Sequence, residues 1–150
     1  MFEYSFERFS PRKKKAVMAF LDTLSVQTRT MLSISGIDPK SIYASFREGW
    51  DENLSVCLCS KKEVIGLGKL TVWENATAYL SCLVVSDKFQ HKGFGSKMIK
   101  YLIACALLNG AKILTLEVRI DNKIGQACFM KNGFRMKGTS DMCYSMERKL

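Results

Sequence analysis

Polar and apolar positions alternate from Glu3 to Phe9, and that period of two predicts a first strand. Ser10-Pro11 follows. Serine is a favoured helix cap, and proline suits the first helical position because an N–H there would have no partner. A helix is expected from there to about Ser25. Asp38-Pro39 repeats the start signal and predicts a second helix to about Gly49, with a mobile, loop-like stretch between the two. The period then changes. WDENLS reads as a turn, LSVCLCS and EVIGLGKLTVW as strands around the turn SKKE, and TAYLSCLVV as a third strand. A long apolar helix is expected from Gly93 to Asn109, with Gly110 just past its end, where glycine takes up the left-handed turn. ILTLEVRI is almost continuously β-forming, as a buried strand should be. Asp121-Asn122 opens a short helix that Gly133 ends, and FRMKG and MCYSMERKL read as the last two strands. The order β-α-α-β-β-β-α-β-α-β-β describes a mixed α/β layered domain.

One helix start in this order is unusual. Ser10, Asp38 and Asp121 or Asn122 supply capping side chains for the other helices, but Gln90-His91-Lys92 leads into Gly93 without a favoured cap. The first four N–H groups of a helix have no internal partners. Here they are left for something else, at the positive end of the helix dipole, beside glycines that let a bulky group approach the backbone. That is how a phosphate cradle is built. Gly-x-Gly alone fits equally a strand-to-helix turn that needs flexible residues. The Walker pattern is missing, since no Gly-Lys-Ser/Thr follows, and so is the third glycine of the dinucleotide fingerprint.

Composition narrows the choice of partner. The 150 residues suit one domain, residues 1–150, large enough to bury a core. Lys and Arg number 23 against 14 Asp and Glu, giving a net charge of +9 that favours anionic partners such as nucleic acid, an acidic membrane or a polyphosphate cofactor. Six cysteines lie mostly in apolar runs, with one histidine and no C-x-x-C pair, so no metal site is expected. Cys57 and Cys59 share a strand face, where buried packing is favoured over a redox or metal role. The apolar run Met98–Leu108 contains Lys100 and has about half of the ~20 residues needed to span a bilayer. No signal peptide is visible. These features point to a soluble, cytoplasmic protein that does not enter the membrane. A nucleic-acid-binding α/β domain is a distant alternative, because the chain lacks the glycine-aromatic RNA-binding signature and a dense basic patch on any one element.

The wider spacing decides between the readings of the glycines. VVSDKFQHKGFG resembles motif A of the GNAT superfamily of acetyl-CoA-dependent N-acyltransferases, with Val85, Gln90, Gly93 and Gly95 at the matching positions. About thirty residues on, LEVRIDNKIGQACFMKNGF resembles the second signature of that superfamily at Leu116, Glu117, Val118, Arg119, Asn122, Ala127, Lys131, Gly133 and Phe134. The motifs cover roughly residues 80–135; the first 75 residues agree in element order only. The resemblance implies a GNAT-like fold: a central, mostly antiparallel twisted sheet flanked by helices.

It also implies roles. The strand before the loop would splay from its neighbour, so that Leu83, Val84 and Val85 hold the pantetheine arm of acetyl-CoA like an added strand. The amides from His91 through Lys92, Gly93, Phe94 and Gly95 to Ser96 would hold the pyrophosphate, with Gln90 in the same loop and Asn122 on the arm. Lys92 and Lys97 would add charge, although both also read as ordinary exposed lysines. An acceptor amine titrates near 10, so only ~0.1% is free base at pH 7, and a base is needed. Glu117 matches the position where related N-terminal acetyltransferases place one. The superfamily often has a tyrosine in the pattern Ala-x-Tyr-x-Lys to protonate the departing thiolate. Here the residue is Phe129, with Cys128 beside it expected to point elsewhere, and with Tyr144, Tyr79 or water as substitutes. The resemblance therefore implies transfer of an acetyl group to a primary amine, on a small molecule or a peptide, by direct attack in a ternary complex. The alternative is an acyl-CoA sensor without transferase activity. The acceptor side is expected from the first two helices and the stretch between them. Arg12–Lys15 is a hint of an anionic partner or a solvated charge run, and Trp50, Trp73 and Tyr79 line a pocket or, for most of them, pack in the core.

Overall fold

The computed structural model describes residues 2–32 and 36–150. Seven strands form one sheet: β1 (Ser5–Arg8), β2 (Val56–Ser60), β3 (Glu63–Val72), β4 (Thr77–Val85), β5 (Ile113–Arg119), β6 (Arg135–Ser140) and β7 (Cys143–Lys149), in the order β1-β2-β3-β4-β5-β7-β6. Every neighbouring pair is antiparallel except β4 and β5. A parallel pair needs a long crossover, and α4 (Phe94–Leu108) supplies it. The expected mixed α/β layering is therefore present.

Apolar side chains on the two sheet faces make two cores. On one face α4 and α5 (Lys123–Lys131) bury Met98, Ile99, Leu102 and Phe129 against Leu70, Leu80, Leu116 and Met146. On the other, α1 (Lys14–Thr23) and α3 (Pro39–Arg47) bury Phe20, Leu21, Ile42 and Phe46 against Cys57, Leu67, Cys82 and Val84. β2 is buried at all five positions because both faces are covered there. Close seating of α4 on β3 uses two glycines: a Cβ at Gly66 would lie 2.9 Å from Met98 Sδ, and one at Gly68 2.8 Å from Leu102 Cδ1. Cys57, Cys59 and Cys82 are core residues, and burial above all pushes their thiols up to about 12, about 11 and about 12. No described helix is long and apolar enough to cross a membrane.

Local details depart from the sequence pattern. β1 is shorter than the alternation of Glu3–Phe9 suggested. Ser10 makes no capping bond through its side chain. Proline and a 3-10 turn at Pro11–Lys13 carry the chain into α1 instead, and the Lys14 amide bonds the Pro11 carbonyl. The stretch expected to be a mobile loop contains a helix, α2 (Val26–Thr30), capped by the Ser25 side chain on the Thr28 amide; residues 33–35 of that stretch lie outside the described residues. Two of the four basic residues at the start of α1 have internal partners. Lys13 pairs with Glu7 at 2.5 Å, and Lys14 sits 5.5 Å from the Tyr43 ring centroid.

Candidate active site

Helix α4 begins as its sequence suggests. Gly93 is its N-cap residue, left-handed at φ +86°, and no side chain caps the helix. The conformation favours glycine, because most side chains in that region cost ~1–2 kcal/mol; space does not, since a Cβ there would meet nothing within 4 Å. The first α4 amide with a backbone partner is that of Lys97, which donates to the Gly93 carbonyl. The amides of Phe94, Gly95 and Ser96 thus stand open at the positive end of a fifteen-residue helix. His91, exposed and also left-handed at φ +63°, turns the chain into this start.

Gly93, Gly95 and Ser96 line a cleft of about 650 Å³, within the ~300–1,000 Å³ usual for ligand sites. One wall is the loop from Asp87 to Ser96, the second is the start of α5 with Asn122, Ile124, Gly125, Cys128 and Phe129, and the third is α2 with Gln27, Thr28 and Met31. Its floor is the end of β4. β4 and β5 pair only from Thr77–Ile113 to Leu80–Leu116. Just past that point the β3–β4 register slips, leaving Ser81 as the extra residue of a bulge, and such bulges bend a strand. From Cys82 to Val85 β4 keeps its pairing with β3, but from Ser81 onward its edge toward β5 is open. A smaller cavity of about 30 Å³ runs into this gap between Ser81–Leu83 and Glu117–Val118.

The residues singled out in the sequence divide by what they touch. Leu83, Val84, Val85, Gln90, His91, Gly93, Gly95, Ser96 and Asn122 line the cleft. Lys92 and Phe94 present their side chains elsewhere: Lys92 lies 5.7 Å from the Phe89 centroid, and Phe94 is buried in the α4 core. Lys97 lies over Tyr4 at 5.6 Å, so neither lysine lines the cleft. Gln90 braces the loop, donating through Nε2 to the Val85 carbonyl at 3.1 Å and to Asp87 Oδ1 at 3.2 Å. Asn122 caps α5, its Oδ1 accepting the Gly125 amide at 2.9 Å. Asp121 instead pairs with Arg119 at 3.0 Å. The two acidic residues lining the cleft, Asp87 and Asp121, are therefore both engaged, which suits an anionic ligand.

Glu117 lies beside the gap, exposed, with no ion-pair partner among the described residues. Tyr79 shares its sheet face, since it pairs in register with Thr115, two residues before Glu117. Burial first, and then the Glu117 charge, raise the Tyr79 phenol pKa, so the phenol holds its proton. Tyr144 is opposite Val118 and faces the α4–α5 core, away from Glu117. Phe129 is buried against Phe134 and still reaches the cleft. Cys128, expected to point elsewhere, also lines the cleft, 3.6 Å from Ser96 Oγ. Trp50 packs on the core as expected for most aromatics, whereas Trp73 is 48% exposed and stacks on Tyr79 at 6.0 Å.

Sequence reasoning missed two contributors. α2 supplies the third wall although VQTRT carries no helical apolar period, and the only local signal is Ser25 ahead of it. Asp87 bonds α2 from 62 residues away, a contact that no local pattern announces.

Residues 21–134 match the family model described as Acetyltransferase (GNAT) family. No curated protein matches the sequence. Among solved structures, the chain is similar to the PaiA N-acetyltransferase from Thermoplasma acidophilum in complex with coenzyme A, at 18% identity and a TM-score of 0.78, covering 99% of both chains. It is also similar to the GNAT domain of S. lividans PAT, at 16% identity and a TM-score of 0.82, covering 97% of this chain and 89% of that one. An acetyltransferase of the GNAT family from Streptococcus pneumoniae matches at 17% identity and a TM-score of 0.77, with 99% of each chain covered. At such identities the likeness is one of fold.

Proposed function

The chain belongs to the acetyltransferase (GNAT) family, and on that premise we propose that its single domain, residues 1–150, moves the acetyl group of acetyl-CoA to a primary amine by direct attack in a ternary complex. The observation that carries the reading is the uncapped start of α4 opening on a cleft whose floor is an unpaired strand edge. Three open amides and a helix dipole suit a pyrophosphate. The free edge from Ser81 to Val85 suits an extended, amide-bearing arm, which would bond to it as another strand does. Each helix-end interaction is worth only ~0.3–2 kcal/mol, so binding needs the amides and the edge together. When bound there, acetyl-CoA supplies an activated thioester.

The residues of the chain then have separable tasks. Gly93, Gly95 and Ser96 bring their backbone to the phosphates, while Leu83 and Val85 flank the arm. Glu117, standing at the gap between β4 and β5, takes the proton of the acceptor ammonium, directly or through water, so that the neutral amine attacks. Phe129 has no proton to give, so the departing thiolate takes, through water, the second proton that the amine nitrogen sheds as the amide forms. α2, which lines the cleft through Gln27 and Thr28, walls the acceptor side.

The test is release of free thiol from acetyl-CoA in the presence of a panel of small amines, polyamines and peptide N-termini at neutral pH. Release with any of them supports transfer. Binding of acetyl-CoA with no release across the panel supports the second reading, a sensor of acyl-CoA, which Phe129 favours.

A further inference from the structure

Asp87 has no part in the chemistry above, yet its carboxylate is the most heavily bonded acidic group at the cleft. It lies in a 3-10 turn (Asp87–Phe89) between the end of β4 and the glycine loop. Oδ2 accepts the Ser25 amide at 2.8 Å. Oδ1 accepts the Thr28 hydroxyl at 2.6 Å and Gln90 Nε2 at 3.2 Å. Gln90 in turn holds the Val85 carbonyl at 3.1 Å. One carboxylate thus joins the wall helix α2, the exit of β4 and the loop that leads to the open amides.

α2 has reason to need this. It is five residues long, and isolated helices shorter than ~12–15 residues are marginal in water. Its own cap is local: Ser25 Oγ accepts the Thr28 amide at 3.1 Å. Its side chains offer little apolar anchorage, since none of Val26–Thr30 is buried and only Leu32 beyond it enters the core. Asp87 grips the helix at the two residues that form the cap, Ser25 and Thr28. Hydrogen bonds to a charged acceptor are among the stronger ones a surface can make.

Resting on the reading that this cleft holds acetyl-CoA, we infer that Asp87 is a positioning residue that couples the cofactor loop to α2. A ligand that immobilises residues 87–96 immobilises Asp87, and Asp87 then holds the wall that faces the acceptor. Because such coupling is reciprocal, an acceptor packed on α2 strengthens cofactor binding by the same factor.

Thr28→Val removes the hydroxyl that donates to Asp87, and with it the acceptor of Ser25 Oγ at 3.0 Å, while leaving the Asp87–Gln90 contact; Asp87→Asn keeps the shape and the Ser25–Thr28 contact and removes the charge. Backbone hydrogen exchange is read at residues 26–31 and 91–97, with and without acetyl-CoA, in the wild type and both variants. Without ligand, both variants are expected to exchange at 26–31 roughly tenfold or more faster than wild type, as loss of a bond to a charged group implies. With acetyl-CoA, the wild type is expected to gain protection in both segments, and Thr28→Val in 91–97 alone. A purely local structural role would leave the response of 26–31 to ligand unchanged by the substitution. Equal exchange at 26–31 in wild type and variants overturns the inference. So does ligand protection confined to 91–97 in the wild type, and that result leaves the cofactor site standing. Protection of neither segment overturns the cofactor reading and this inference with it.

Discussion

Two helix starts face each other across the cleft and treat their orphan amides in opposite ways. At α5, Asn122 folds its side chain back onto the Gly125 amide. At α4 the equivalent residue is a left-handed glycine with no side chain to offer. Asp38 and Ser25 cap α3 and α2 as Asn122 caps α5, and the Lys14 amide of α1 bonds the preceding 3-10 turn. Among the described helices, α4 alone has neither device. Replacing a capping side chain by alanine typically costs ~0.5–2 kcal/mol, so an uncapped, fifteen-residue core helix forgoes stability that a single residue would provide. The contrast shows where a ligand could be held without displacing a cap. Cap and ligand compete for the same N–H groups, and on the proposed reading the helix that crosses between β4 and β5 leaves them to the ligand.

The contrast can be broken from either side. Gly93→Asp has the largest expected effect. Aspartate tolerates a left-handed backbone better than most residues, so the fold persists, but a carboxylate now occupies the positive end of α4. Acetyl-CoA affinity should fall at least about a hundredfold, ~2.7 kcal/mol, in a calorimetric titration. Glu117→Gln comes next: turnover at neutral pH is expected to fall by roughly a hundredfold, the lower end of what a positioned base contributes, while acetyl-CoA affinity changes little. Equal turnover would remove Glu117 from the mechanism. Asn122→Ala strips the cap from the opposite helix and should lower unfolding free energy by about 1 kcal/mol, read by chemical denaturation, with a much smaller loss of cofactor affinity than Gly93→Asp.

Thiol labelling sharpens the same boundary between core and cleft. Burial raises Cys57 and Cys82 to about 12, so they should resist alkylation at pH 8, whereas Cys128 in the cleft should react and be shielded by acetyl-CoA. The smallest effect is expected at β1. The bond from Lys13 holds the Glu7 carboxyl below its ordinary range. A depressed carboxyl stabilises the fold above its unfolded value and loses that contribution as pH falls through its folded value. Glu7→Gln should therefore slightly flatten the acid side of the stability profile, and only slightly, because exposed pairs are weak.

Much of the molecule was legible because its signals are local. The bare start of α4 could be read from Gln90-His91-Lys92-Gly93, and β5 from an unbroken β-forming run, since capping preference and burial act within a few residues. Two short signatures, residues 84–95 and 116–134, carried most of the cleft lining. What was not legible depends on contacts distant in the chain. VQTRT becomes a helix with Asp87 as its anchor, and the same residues read locally as a loop. The parting of β4 from β5 was expected by resemblance, but its device, the bulge at Ser81, leaves no mark in TAYLSCLVV. Phe94 is expected in the cradle only through its backbone amide, and Lys92 and Lys97 as added charge or as ordinary exposed lysines. Side-chain direction, which sent Phe94 into the core and Lys92 onto Phe89, is settled only by packing.

The central claim is that the open amides of α4 hold the phosphates of the cofactor. Amide nuclear magnetic resonance of the wild-type protein during titration with acetyl-CoA tests it most directly. Large, saturable shifts are expected at the amides of Phe94, Gly95 and Ser96, with no comparable movement of the Ser41 amide, which Asp38 already caps. A titration that saturates with those three amides unmoved would place the ligand elsewhere and contradict the account.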